Sequence, residues 1–181
     1  MEEVLNSLIK QDAEFSLAKF KSKVENEFIQ IMLSMVTRKT ENVKHFVSDE
    51  VYEKIINKIK DDVNNGRIQM YDELNVAGVD IVDIKEKDDC FDIFVNVDSK
   101  ALDYYLSLST RKYLSGNNSS RTDKTTKMKF TKKKENQELG AARRCPACGA
   151  NLDVNKTGVC SYCGTILKLE NYDWVITGMS I

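Results

Sequence analysis

Four of the chain's five cysteines stand in one stretch, RRCPACGANLDVNKTGVCSYCGT, as Cys145, Cys148, Cys160 and Cys163. Each pair has the form Cys-x-x-Cys-Gly. Eleven residues separate the pairs, and Pro146, the only proline of the chain, lies inside the first. Two thiolates three positions apart reach one ion from a tight turn, with sulfur about 2.3 Å from zinc. The glycine behind each pair, Gly149 and Gly164, supplies the positive φ that such a turn requires. The turn also aims backbone N–H groups at the sulfurs, which stabilises thiolate charge, and Pro146 presets its own φ. Two turns facing each other complete a tetrahedral four-sulfur shell around one zinc ion. A closed shell leaves no position for water or substrate, so the site is expected to be structural and to supply much of the segment's folding free energy.

Other uses of four cysteines compete with this one. A redox Cys-x-x-Cys belongs in a βαβ setting, which neither pair has. Two disulfides need an oxidising compartment, and MEEVLNSLIK at the start is too short and too acidic for a secretory signal. An iron–sulfur cluster also takes four thiolates, though the duplicated turn fits zinc better. The eleven-residue spacing is shorter than the ~15–20 typical of double Cys-x-x-Cys zinc sites, so the loops must be small. Cys90 opens a strand-like run and reads as a small buried hydrophobe.

Catalytic chemistry has little to stand on. The sequence contains no Gly-rich phosphate loop, no Ser-His-Asp set and no His-Glu-x-x-His. The single histidine, His45, falls in a helical stretch. An enzyme would need an inward acid, Asp92 or Asp98, beside a tyrosine such as Tyr104, whereas the alternation places those acids opposite the apolar face. The expectation is a noncatalytic protein.

Charge is unevenly distributed around a net of −1. Residues 1–100 hold 14 basic and 21 acidic side chains, a net of −7, and residues 101–181 hold 13 and 7, a net of +6. Lys127, Lys129, Lys132, Lys133, Lys134, Arg143 and Arg144 concentrate much of the basic excess. They form either a solvated face or a surface for an anionic partner: lipid headgroups, nucleic acid or an acidic protein. The longest apolar cluster, Phe28 to Val36, is broken by Gln30 and Ser34 and falls far short of the ~20 residues that span a bilayer.

Helices come first among the elements that must carry these groups. Phe20, Val24, Phe28 and Ile31 form one stripe on a helix over residues 12–37, with Asp12 at its start. A short helix is expected at 41–47. Ser48 caps a third, with Asp49 and Glu50 at its positive end and Gly66 stopping it. The period then changes to two. Strands are expected at 67–74, 77–86, 91–98, 101–110, 126–134 and 172–180, with a polar, mobile loop at 115–123. This order predicts an α+β fold, with N-terminal helices packed on a curved antiparallel sheet. The zinc segment falls between the last two strands, so it reads as a ribbon inserted at the tip of the final hairpin: residues 141–169 within a body formed by 1–140 and 170–181.

DAEFSLAKFKSKVENEFIQI, FVSDEVYEKIINKI, KMKFTKKKE and YDWVITGMS together resemble the Tim forty-four-like (Tim44-like) family, in a bacterial form with a zinc ribbon. The family's penultimate strand usually carries tryptophan where this chain has Met128, and the membrane anchor of many bacterial members has no counterpart here. The resemblance implies a cone of curved sheet and helices, similar to nuclear transport factor two and cystatin, with an apolar pocket in the concavity. It also implies a docking or scaffold role, with a protein partner or an anionic membrane surface. The expected location is cytoplasmic, with contact at the cytoplasmic face of a membrane. A zinc-ribbon module for nucleic acid is the alternative. Against it, GANLDVNKTGV between the turns offers only Lys156, opposed by Asp153.

Overall fold

The computed structural model describes residues 1–13, 15–134, 148–150, 160–164 and 173–181. Three helices, α1 (Glu2–Gln11), α2 (Leu17–Thr37) and α3 (Asp49–Asn64), precede four strands, β1 (Arg67–Glu86), β2 (Cys90–Ser107), β3 (Tyr113–Lys133) and β4 (Val175–Met179). The strands form one antiparallel sheet in the order β1-β2-β3-β4. The fold is α+β, as the order of periods implies.

The expected helix over 12–37 is instead two helices. Asp12 closes α1, its N–H bonded to the Leu8 carbonyl, and α2 begins behind Ser16. The break turns Phe15 inward, where its ring meets Phe20 and Trp174. The stripe on α2 holds as read, since Phe20, Val24, Phe28 and Ile31 are all buried. Residues 41–46 form turns rather than a helix, with Val43 and Phe46 donating to carbonyls three residues back. The next residue, Val47, bridges to Ile176 of β4, which draws the backbone out of helical geometry. Ser48 caps α3 as expected, accepting from the Val51 N–H at 3.3 Å. Gly66, at φ +64°, stands where the chain turns out of that helix.

The strands are fewer and longer than the alternation suggests. Residues 67–74 and 77–86 belong to one strand, β1, with register shifts around Glu73, whose φ is +52°. Residues 91–98 and 101–107 are likewise continuous as β2. The expected loop at 115–123 lies inside β3. Its backbone pairs with β2, as in Tyr105↔Ser115 and Tyr104↔Gly116. Ladder hydrogen bonds need backbone groups, not apolar side chains, so a polar stretch extends a strand whose neighbour is already in place. Between Ala101↔Thr122 and Asp103↔Asn117 two steps along β2 face five along β3. The excess is absorbed by a turn in which Asn117 Oδ1 accepts from the Ser119 and Ser120 N–H groups. Gly116 permits the approach just before it: a Cβ there would lie 2.6 Å from both the Asp103 carbonyl oxygen and the Tyr104 Cα.

One core lies between helices and sheet. Phe91, Ile93, Val95 and Val97 of β2 meet Met128 and Phe130 of β3, Val175 and Ile176 of β4, and the stripes of α2 and α3. Phe28, Phe46 and Phe130 are among its largest fully buried side chains, each burial contributing roughly 1.5–3 kcal/mol. Val63, near the C-terminal end of α3, is 39 % exposed.

One buried group departs from this apolar interior. Glu27, on the flank of α2, is 5 % exposed, and its Oε2 has no hydrogen-bond partner among the described residues. Its Oε1 pairs with Lys23 at 2.8 Å, and Lys23 also holds Asp173 at 2.8 Å. Burial pushes the Glu27 carboxyl up to about 7, Lys23 opposes that shift, and Asp173 adds to it. Burial works against the Lys23 ammonium, but the two carboxylates hold its pKa above the ordinary value. Between an unfolded pKa of 4.5 and a folded pKa of about 7, the native state keeps a proton that the unfolded chain has lost, so this group's contribution to stability falls as pH rises through that window. Glu27→Gln is therefore expected to be stabilised relative to the parent as pH rises from about 5 to about 8, by up to about 3 kcal/mol. Urea midpoints measured at both pH values check this; equal pH slopes for the two proteins would refute it.

Candidate functional site

Three of the four cysteines expected to hold metal are described, and they converge. Cys148 Sγ lies 3.7 Å from Cys160 Sγ, and the sulfurs of Cys148, Cys160 and Cys163 all lie within 4.8 Å of one another. A tetrahedron with ~2.3 Å zinc–sulfur bonds places its sulfurs about 3.8 Å apart. A disulfide would bring two sulfurs to about 2.05 Å, and none of the described cysteines forms one. Cys160 is buried, while Cys148 and Cys163 are exposed. Cys145 and Pro146 lie outside the described residues, as do Arg143 and Arg144.

The turns behind the sulfurs have the geometry that the Cys-x-x-Cys-Gly repeat calls for. Gly149 has φ +72° and Gly164 has φ +71°. The Gly164 N–H donates to the Cys160 carbonyl at 2.9 Å and closes the second turn. No described residue lies within 4 Å of where a Cβ would stand at either glycine. The positive φ at each is a constraint that glycine meets without strain. Three sulfur donors gathered this closely suit a soft or borderline cation such as zinc. Cys90 takes no part in the cluster. It is buried at the start of β2, where burial raises its thiol pKa, so it lacks the thiolate character of a ligand or nucleophile.

The candidate catalytic groups do not assemble. His45 packs edge-on against Phe46, and burial, with the nearby Lys23 charge, lowers its pKa. Asp92 is buried opposite the apolar face of β2, paired with Lys87 at 2.7 Å and accepting from Thr131 Oγ1 at 2.6 Å. Burial alone would raise its carboxyl pKa; the hydrogen bonds from Lys87 and Thr131 outweigh that and hold it below the usual range. Asp98 accepts from Thr125, and Tyr104 donates to Asp72. Each group is engaged with a different partner.

The lysine strand divides between two faces of the sheet. Lys132 reaches Asp12 at 2.6 Å, and Lys134 reaches Glu86 at 2.9 Å while lying over the Phe91 ring. Lys129 is half-buried, its charge felt by Asp92, and only Lys127 and Lys133 of the five are exposed. Alternation along β3 is the cause: residues 132 and 134 point to one face, and 127, 129 and 133 to the other. Sequence reasoning missed the Lys23–Glu27–Asp173 cluster. Its only visible signal was the i,i+4 spacing of Lys23 and Glu27, which resembles an ordinary solvated pair.

Three helices packed on one four-stranded antiparallel meander define an α+β domain. The chain belongs to the Tim44-like family: the family model described as the Tim44-like domain matches residues 1–141 of the 181. No curated protein matches the chain. Domains of this family are in general noncatalytic docking modules associated with proteins and membranes. No helix among the described residues is long and apolar enough to cross a membrane.

Metal analysis of the purified protein is expected to return one zinc per chain. Cys160→Ser, which removes the buried thiol of the cluster, should lower occupancy at least tenfold under mild chelation. Gly164→Ala should weaken retention less, through the positive φ alone. Chelator-competition titration measures all three, and full zinc retention by Cys160→Ser would remove that cysteine from the shell.

Proposed function

We propose that the protein is a noncatalytic docking module that engages an anionic membrane surface or a protein partner, steadied by one structural zinc. The observation that carries this reading is family membership over residues 1–141. In it, residues 1–140 and 170–181 form the docking body, and 141–169 form a ribbon inserted between β3 and β4, with Cys145, Cys148, Cys160 and Cys163 as a four-thiolate shell. Two observations support the division: the family match ends before Cys145, and β4, beyond the cysteines, pairs with β3. The module acts in the cytoplasm, with contact at the cytoplasmic face of a membrane. The nucleic-acid reading has less support, because Lys132 and Lys134 are committed to acids of the same chain and phosphate contact dominates such binding.

Flotation of the zinc-loaded protein with phosphatidylcholine vesicles, with and without phosphatidylglycerol, tests the membrane arm. Binding is expected to require the anionic lipid and to weaken from low to physiological salt without vanishing. If nothing floats under any condition, the membrane arm is discarded, and partners captured by cross-linking become the test of the protein arm.

A further inference from the structure

The β2–β3 hairpin tip carries a combination of groups that the family reading does not use. Residues 107–114, SLSTRKYL, close the hairpin farthest along the sheet from the cysteine-bearing connection. The tip is well tied. The Ser107 N–H donates to the Lys112 carbonyl at 2.8 Å, the Arg111 N–H to the Ser107 carbonyl at 3.0 Å, and the Leu108 N–H to the Gly66 carbonyl at the end of α3 at 2.8 Å. On this fixed turn Arg111 and Lys112 are exposed and make no ion pair among the described residues. The acids at the adjoining end of α3, Asp61 and Asp62, are engaged by Arg67, and Asp62 also by Lys58. The cations of the tip are thus without an ion pair among the described residues, whereas Lys132 of β3 and Lys134 just beyond it are each held by an acid.

Immediately beside them, Tyr113 is 49 % and Leu114 50 % exposed. As successive strand residues they point to opposite faces, so neither sheet face alone presents both, whereas an approach along the hairpin axis does. Arg111 holds φ +60°, a left-handed angle that glycine would adopt without strain. The turn therefore keeps a charged side chain at a position where its backbone favours glycine. An aromatic and an aliphatic side chain preceded by two cations that have no ion pair among the described residues match the boundary of an anionic bilayer, with rings at the headgroup level and cations on lipid phosphates.

We propose that this tip is the membrane-contacting element, with Tyr113 and Leu114 entering the interface and Arg111 and Lys112 meeting anionic headgroups. The assignment rests on the membrane arm of the docking reading above, and moves its footprint from the lysine strand to the opposite end of β3.

The test is flotation of the full zinc-loaded chain with phosphatidylcholine and phosphatidylcholine–phosphatidylglycerol vesicles. Arg111→Gln with Lys112→Gln, and Tyr113→Ser with Leu114→Ser, are compared with the parent and with Lys127→Gln, Lys129→Gln and Lys133→Gln combined. Urea midpoints confirm that each variant folds. Each tip pair is expected to lower partitioning into anionic vesicles about tenfold, and the strand triple less than about twofold. In a second measurement, Leu114→Trp should show blue-shifted emission with anionic vesicles only, against the constant signal of buried Trp174. Tip variants that float like the parent, or an unshifted Leu114→Trp, overturn the assignment while leaving the docking reading intact. A parent that never floats overturns both the assignment and the membrane arm.

Discussion

Phe20 is the contact on which the arrangement of this chain turns. Its ring meets Phe130 of β3 and Trp174 at the entry to β4, each at 5.3 Å between centroids, with Phe15 alongside. Edge-to-face aromatic pairs of this kind add about 0.5–1.5 kcal/mol each beyond area burial. One turn further along α2, Lys23 takes hold of Asp173. Helix α2 therefore grips the chain at the place where it returns to the sheet, by an apolar contact and an ionic one side by side. Glu27 shares the same lysine, and its burial is the energetic penalty of putting that ionic contact beneath the surface.

That grip matters because β3 and β4 are joined by a long connection. The chain leaves β3 at Lys133 and rejoins the sheet at Val175. Closing some 40 residues rather than a short turn of about five costs only about 2 kcal/mol more in chain entropy. The aromatic cluster and the ladder from Met128↔Met179 to Thr131↔Val175 offset a term of that size. The sheet thus tolerates a long cysteine-bearing connection between two of its strands. In the proposed division of the chain the zinc would organise its own short turns, and the helices and sheet would supply the docking surface.

Elements that rest on local geometry were legible from the residues. Ser48 caps α3, and Gly66 turns the chain after it, because both effects act within a few positions. The alternation from Phe91 to Val97 sets the buried face of β2, and the Cys-x-x-Cys-Gly repeat anticipates two positive-φ glycines and the approach of three sulfurs. Elements that depend on a distant neighbour were not. The run SGNNSSRTD has the composition of a loop, yet β2 offers it an open ladder and it becomes strand. Asp12 has the composition of a helix cap, yet Phe15 is drawn into the aromatic cluster and the helix breaks there.

The same division holds for charge. Sequence by itself determined where basic residues accumulate, which face of α2 is apolar, and that two cysteine turns share one metal-binding pattern, since spacing and backbone preference act along the chain. Tertiary structure alone decided which charges remain available. It drew Lys132 to Asp12, Lys134 to Glu86 and Lys23 to Asp173, and left Arg111 and Lys112 without an ion pair among the described residues. The reason is physical: the state of a charge depends on what lies within a few ångströms of it, and folding brings together residues up to 150 positions apart.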